Sequence, residues 1–263
     1  MRNESTRRIF LQAAAVAGAA AVNFTGAHGA DAQQKSAGKR LKDITNDLEL
    51  LQWIKENLST PVVCDSHDQL GMPVKVMDGR IRPLHPDYII AGRARTVLWM
   101  DIYEKVKGNP YIKEIEACDS LKPGDVSVHS TDIELRNAPW GDLMSTASKI
   151  RGAHGAIIDS NTRDVKNILK LDFPVFTAGI KPLDSQGRGF VTDYDCVIEC
   201  GGVKVEPGEL VFADFDGIVV VPKKMEKDVL RIAEEKILAE SNTRRELFEG
   251  KLLREVYEKY GVL

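Results

Sequence analysis

The sequence predicts one α/β domain with a mixed sheet and amphipathic C-terminal helices, and three observations predict it. Between Asp125 and Gly179, short runs rich in apolar and β-branched residues alternate with helical patterns. After Gly201-Gly202 the chain turns to β-rich runs separated by tight-turn residues, and beyond Pro222 its apolar residues recur at helical period in a charged background. Strand and helix in alternation imply parallel crossovers, while runs joined by short turns imply antiparallel pairing.

The elements follow in order. From Leu41 to Asn57, Ile44, Leu48, Leu51 and Ile54 recur at helical spacing until Ser59-Thr60-Pro61 breaks the pattern. Pro61 to Asp65 reads as a short buried strand and Tyr88 to Leu98 as a longer one, with the Gly- and Pro-rich stretch Gly71 to Pro86 between them as loop. Asp125 to Ser130 reads as a strand, Asp142 to Arg151 as a helix ended by Gly152, and Ala156 to Asp159 as a strand. Val165 to Leu171 then reads as a short helix and Val175 to Gly179 as a strand. Val203 to Val205 and Leu210 to Ala213 flank Pro207-Gly208, and Asp216-Gly217 precedes Ile218 to Val221, so an antiparallel element is expected here. Met225, Val229, Ile232, Ala233 and Ile237 mark a helix, and Glu246 to Tyr260 continues in the same manner.

Composition narrows the function. A net charge of −3 over 263 residues leaves no basic footprint for nucleic acid and no block of like charge to serve as an interaction tail, so a small molecule or another protein is the expected partner. Residues 1–32 stand apart from the rest. Arg7-Arg8 precede Ile9-Phe10-Leu11, an Ala-rich run extends from Ala13 to Val22, and Ala27 to Ala32 has the small-residue character of a cleavage site after Ala30 or Ala32. That order resembles a twin-arginine signal peptide and implies export, with the periplasm as destination. The apolar run is about ten residues against the roughly 20 of a spanning helix, so no membrane anchor is expected after cleavage. Residues 33–263 carry no repeat or low-complexity linker and are expected to form the single domain.

Cys64, Cys118, Cys196 and Cys200 are expected as free thiols. In a strand-like run the last two lie roughly 13 Å apart at about 3.3 Å per residue, too far for a disulfide, and the spacing is not that of a zinc site. His67, His85, His129 and His154 show no H-x-x-x-H or H-E-x-x-H spacing, so each reads as a local hydrogen-bonding residue. No G-x-S-x-G or G-x-G-x-x-G motif supports a serine hydrolase or a dinucleotide site.

The chemically informative stretch is Trp140-Gly141-Asp142-Leu143-Met144, followed twenty residues after Asp142 by Arg163-Asp164. Asp142 opens a helix whose first N–H groups suit a carboxylate, and Arg163-Asp164 follows the next strand. Consecutive turns of this kind meet at the carboxyl edge of a sheet, where α/β proteins place ligands. Asp164 suits a hard divalent cation, Arg163 a carboxylate or enolate, and Asp142 the activation of a water. Against this stand plainer readings, with Asp142 as a helix cap and Arg163-Asp164 as a surface ion pair.

Spacing and flanks together resemble the RraA-like family, which includes metal-dependent 4-hydroxy-4-methyl-2-oxoglutarate and 4-carboxy-4-hydroxy-2-oxoadipate aldolases. The likeness runs from about Pro61 to the C-terminus and includes Gly152-Ala153-His154-Gly155-Ala156-Ile157-Ile158-Asp159, Gly201-Gly202-Val203-x-Val205-x-Pro207-Gly208, and Ala213-Asp214-x-Asp216-Gly217-Ile218-Val219-Val220-Val221-Pro222. The resemblance implies a swivelling β/β/α fold and a lyase that cleaves a 4-hydroxy-2-oxo acid to pyruvate and a second carbonyl product, with oxaloacetate decarboxylation at the same site. It further implies Asp164 as ligand to Mg²⁺ or Mn²⁺, Arg163 as the pyruvyl contact, Asp142 as the water-orienting acid, and the backbone of Gly141, Asp142, Leu143 and Met144 as a carboxylate cradle. An acidic residue from a neighbouring subunit's C-terminal helix, for which Glu240 is the nearest candidate, would complete the site in a trimer or a pair of trimers. The competing implication is a catalytically silent binding protein like the RraA regulators. The chain departs from the family in Asp142-Leu143-Met144, where Glu-Leu-Leu is common, in Asp159-Ser160-Asn161-Thr162, and in the segment Tyr103 to Cys118, which looks like an insertion at the mouth of the pocket.

Overall fold

The computed structural model describes residues 39–131 and 137–262. The leader expected over residues 1–32 lies outside the described residues. From Lys39 onward the chain forms one compact unit. A short 3-10 turn, Leu41–Asp43, leads into helices α1, Asp47–Asn57, and α2, Thr60–Gln69. Strands β1, Lys75–Val76, β2, Arg82–Pro83, and the long β3, Ile90–Asp101, follow, then α3, Ile112–Asp119. The centre consists of β4, Asp125–Ser130, α4, Asp142–Ile150, β5, Gly155–Thr162, α5, Val165–Leu171, and β6, Val175–Ile180. The chain then forms β7, Gly189–Tyr194, β8, Ile198–Cys200, β9, Val203–Val205, β10, Leu210–Ala213, and β11, Ile218–Val221. It closes with α6, Glu226–Phe248, and α7, Leu253–Tyr260.

The main sheet is mixed, in the order β1-β11-β10-β3-β4-β5-β6-β2. Strands β3 to β6 are parallel neighbours, whereas β10 and β7 pair antiparallel with the first and second halves of β3. Period-two alternation sends side chains to two cores. Ile90, Val126, Val128, Ile157, Phe176, Val211 and Val220 face a core closed by the β8–β9 hairpin through Ile198 and Val205. On the opposite face Leu210, Phe212, Val219 and Val221 pack under α1, α2 and α6, while Ala156, Ile158 and Val175 pack under the α4–α5 layer. At about 25 cal/mol per Å² of buried apolar surface, these two interfaces dominate the stability of the domain.

Several elements differ from the sequence reading. The segment Pro61 to Asp65 lies in helix α2 and not in a strand. Pro61 occupies the first turn, where its missing N–H has no intrahelical bond to make, and Asp214 accepts hydrogen bonds from Thr60 N and Oγ1 at 2.8 and 2.6 Å. Val62, Val63, Ser66 and His67 then form the buried face of that helix. The stretch Gly71 to Pro86, expected as loop, carries the two-residue strands β1 and β2, which pair with β11 and β6. Leu210–Ala213 and Ile218–Val221 pair antiparallel as expected, but Val203–Val205 turns back through Gly201-Gly202 onto Ile198–Cys200. Pro207-Gly208 therefore joins two sheets and not two paired strands. The four cysteines are free thiols, and burial pushes the Cys200 thiol well above its usual range.

Candidate active site

The site is built at the carboxyl edge of β5. Its last residue, Thr162, bridges to Trp140, and Arg163 N donates to Trp140 O at 2.9 Å. Gly141 follows Trp140 as the cap of α4, so the start of that helix and the Arg163-Asp164 turn are fixed side by side. The corner is anchored from within: buried Trp140 donates through Nε1 to Ser145 Oγ at 2.8 Å, and Ser145 Oγ donates to Gly141 O at 3.0 Å. Behind Trp140 lies His129, edge-on at 5.1 Å between ring centroids. Trp99 Nε1 can only donate, so His129 Nδ1 accepts at 3.0 Å and Nε2 carries the proton toward Ser127 Oγ at 2.8 Å. Burial pushes His129 down to about 3, which keeps the ring neutral.

The polar end of β5 fastens the segment leading to Trp140. Ser160 Oγ and Asn161 Nδ2 donate to Asn137 O at 3.2 and 3.1 Å, and Thr177 Oγ1 donates to Ser160 O at 2.8 Å. These side chains are buried, and they meet polar partners that an apolar strand end would have left unsatisfied.

Asp164 takes the left-handed conformation, φ 59° and ψ 27°, at the cap of α5. A non-glycine residue held there is uncommon, and such positions cluster at functional turns. The turn lays the Asp164 carboxylate over Gly141, where a Cβ would stand 2.7 Å from Asp164 Oδ2 and 3.3 Å from Arg163 Cγ. Arg163 Nε lies 3.5 Å from Asp164 Oδ2, and both side chains are partly open to solvent, at 38% and 40%. Asp142 is the first helical residue and does not cap the helix; its Oδ2 accepts from Asn167 Nδ2 at 2.8 Å. Asn167 N in turn donates to Asp164 O at 2.9 Å, so one residue links the two carboxylate-bearing turns. Ser145 N makes the first bond of α4, to Gly141 O, leaving the N–H groups of Asp142, Leu143 and Met144 without an intrahelical acceptor.

The structure thus brings Gly141, Asp142, Leu143, Met144, Arg163 and Asp164 together within one chain. Glu240 is elsewhere, on α6, with its carboxylate 3.7 Å from Arg244 Nη2. Among the described residues no group of three or more His, Cys, Asp or Glu side chains is arranged to hold a metal ion.

Two residues at this site were not singled out from the sequence. Asp184 Oδ1 lies 3.1 Å from Arg163 Nη1, and Tyr111, at the start of α3, donates to Asp184 Oδ2 at 2.5 Å. Partial burial pushes the Asp184 carboxyl up, but the bonds from Tyr111 and Gln186 N and the charge of Arg163 outweigh it and hold the group below its ordinary range. Tyr111 is pushed up to about 12 by burial and by Asp184. Glu114 on α3 is raised to about 8 by burial and by Asp184, against the opposing charge of Arg163. The only sequence signal for this wall was the segment Tyr103 to Cys118 read as an insertion at the pocket mouth.

A family model described as RraA-like, Aldolase/RraA, matches residues 60–220 and so takes in every one of these residues except Glu240. The chain belongs to the RraA-like family. A protein of Halalkalibacterium halodurans named "Putative 4-hydroxy-4-methyl-2-oxoglutarate aldolase" is 30% identical over 186 residues, covering 71% of this chain and 84% of its own. Among solved structures, Streptomyces coelicolor RraAS2, described as an unusual member of the RNase ES inhibitor RraA protein family, superposes with a TM-score of 0.64 at 26% identity, over 80% of this chain and 99% of its own. A structure described as belonging to novel cellulases from microbes of the gut ecosystem superposes with a TM-score of 0.71 at 29% identity, over 79% and 90%. The mixed sheet with C-terminal helices is therefore the RraA-like architecture, and the relatives sharing it carry unlike functional descriptions.

Proposed function

We propose that this RraA-like chain is a carbon–carbon lyase of the pyruvate aldolase type, acting on a 4-hydroxy-2-oxo acid. The observation that carries the reading is the packing of Arg163 and Asp164 over Gly141 at the opening of α4, which sets a cation, a carboxylate and three helix N–H groups around one solvent-accessible corner. The substrate carboxylate docks on the N–H groups of Asp142, Leu143 and Met144, favoured by the positive end of the helix. Arg163 directs its donors at the 2-oxo oxygen, where negative charge develops. Asp142, through a water, takes the proton of the 4-hydroxyl. The C3–C4 bond breaks, its electron pair passes to the C2 oxygen as the enolate, C4 becomes the second carbonyl, and the proton returns to C3 to give pyruvate. Decarboxylation of oxaloacetate passes through the same enolate and serves as a second assay.

The partly exposed Asp164 carboxylate, with Asp142 on the adjoining turn, fits Mg²⁺ or Mn²⁺, since Mg²⁺ typically keeps several waters beside one or two protein carboxylates. Such an ion would supply Lewis-acid polarisation of the 2-oxo oxygen. In this reading Glu240 serves the site of a neighbouring copy in a trimer or hexamer, and the leader at Arg7-Arg8 sends the enzyme to the periplasm.

The test is pyruvate release from a panel of 4-hydroxy-2-oxo acids and oxaloacetate by the purified chain, with Mg²⁺ or Mn²⁺ and with chelator. Turnover that stops with chelator supports the reading. Turnover indifferent to chelator removes the metal from it. Failure of the whole panel, together with failure of oxalate to bind in the presence of Mg²⁺, favours a catalytically silent binding protein.

A further inference from the structure

We propose that Tyr111 and Asp184 are a positioning pair for Arg163, so that helix α3 is a working wall of the active site. The inference rests on the reading of Arg163 as the contact to the substrate's 2-oxo acid end. An arginine side chain has four rotatable bonds, and the Arg163 side chain is 38% exposed, so packing alone does not set its direction. What sets it is a pair of carboxylates on different edges: Asp164 Oδ2 at 3.5 Å from Nε and Asp184 Oδ1 at 3.1 Å from Nη1. Among the described residues no other carboxylate pairs with the guanidinium, which leaves its remaining N–H groups, including both on Nη2, for a substrate oxygen.

Asp184 is itself held by two donors on its other oxygen, Tyr111 OH at 2.5 Å and Gln186 N at 3.3 Å. Its backbone is also secured by bonds that do not use that side chain. Ala138 N donates to Leu183 O at 2.7 Å, Ala138 bridges to Asp184, and Arg188 Nη1 donates to Asp184 O at 3.2 Å. The loop thus has anchors besides the bond from Gln186 N to Oδ2, and the oxygen that faces Arg163 is the other one, Oδ1. The phenol belongs to an element 73 residues away in sequence, and it adds a fixed hydrogen bond to a side chain that would otherwise turn about two torsions. The result is a chain from the Tyr111 hydroxyl through Asp184 to Arg163 that orients the guanidinium before substrate arrives, and preorganised charge of this kind carries much of an enzyme's rate enhancement. Neither Tyr111 nor Asp184 touches the substrate in this scheme.

The experiment compares wild type, Tyr111→Phe, Asp184→Asn, Asp184→Ala and Arg163→Ala for kcat and KM in oxaloacetate decarboxylation, for oxalate affinity in the presence of Mg²⁺, and for melting temperature. Tyr111→Phe should lower kcat/KM about 10-fold and Asp184→Ala about 10²-fold, the scale expected when a reacting group shifts by about 1 Å. Asp184→Asn keeps the shape of the side chain but not the charge paired with Arg163, so it should fall between wild type and Asp184→Ala. The losses should fall mainly on kcat, with oxalate affinity and melting temperature lowered far less. If Arg163→Ala is inactive while Tyr111→Phe and Asp184→Ala match wild type or exceed it, the positioning pair is refuted and the aldolase reading stands. If Arg163→Ala retains full activity, the aldolase reading fails first. Equal losses in Asp184→Asn and Asp184→Ala that track lost thermal stability would assign the pair to folding and overturn the inference.

Discussion

A Cβ on Gly141 would stand 2.7 Å from Oδ2 of Asp164, closer than side-chain contacts allow. The backbone there, φ −151° and ψ −170°, is extended and open to any residue. The constraint at 141 is therefore the carboxylate. Gly141→Ala should push Asp164 and Arg163 off the helix opening and lower turnover by about 10- to 10²-fold with little change in melting temperature. Steady-state kinetics beside a thermal melt decide it, and a fully active Ala variant would separate Gly141 from the chemistry.

Arg163→Lys should stay folded and lose most activity, by about 10²- to 10³-fold in turnover, because an ammonium cannot engage Asp164, Asp184 and an enolate oxygen from one planar group. Pyruvate release by the purified variant checks this. Wild-type turnover would remove Arg163 from the mechanism.

Glu114 is raised to about 8 by burial first and by Asp184 second. A carboxyl whose folded value exceeds its unfolded value binds more protons when folded, so its contribution is full at low pH and is lost as pH climbs toward about 8. Glu114→Gln removes that dependence, which amounts to about 1.4 kcal/mol for each pH unit separating the folded and unfolded values. The melting temperature of the variant minus that of wild type should rise between pH 5 and pH 8 and then level off. His129, held neutral by burial, acts in the opposite sense as pH falls, but it is common to both proteins and cancels in the difference. A difference that stays flat across this range would place Glu114 in water.

If Glu240 completes a neighbour's site, Glu240→Ala and Arg163→Ala should each be inactive as uniform oligomers, and mixed oligomers should regain partial activity by pairing intact half-sites. Sedimentation must show the same assembly for all samples. A monomeric wild type, or no recovery after verified mixing, would confine the site to one chain.

Much of the fold was legible because its signals are local. Asp125–Ser130 and Val165–Leu171 form the elements their patterns predicted, residue for residue, since a β-branched run under flanking helices and a short helical period each leave a mark within one window. Pro61 to Asp65 misled because Val62-Val63 in a short apolar run suits a buried strand and a buried helix face alike. The arbiter was Asp214, about 150 residues away, whose carboxylate takes the first donors of α2.

The candidate site divides in the same way. Gly141, Asp142 and the Arg163-Asp164 pair could be placed from sequence because consecutive βα turns of a parallel sheet open on one edge, which is a rule of topology carried by the alternation of elements. Tyr111 and Asp184 could not, because no periodicity relates a residue at the head of α3 to one in the turn after β6. Only the stacking of α3 beside β7 and α4, together with the bridge from Ala138 to Asp184, brings a phenol, a carboxylate and Arg163 into line. The sequence by itself determined which residues could carry charge to the sheet edge, since local patterning sets the order and hand of the elements. Tertiary structure alone decided how Arg163 is aimed, because the groups that aim it come from segments whose only common property is where packing leaves them.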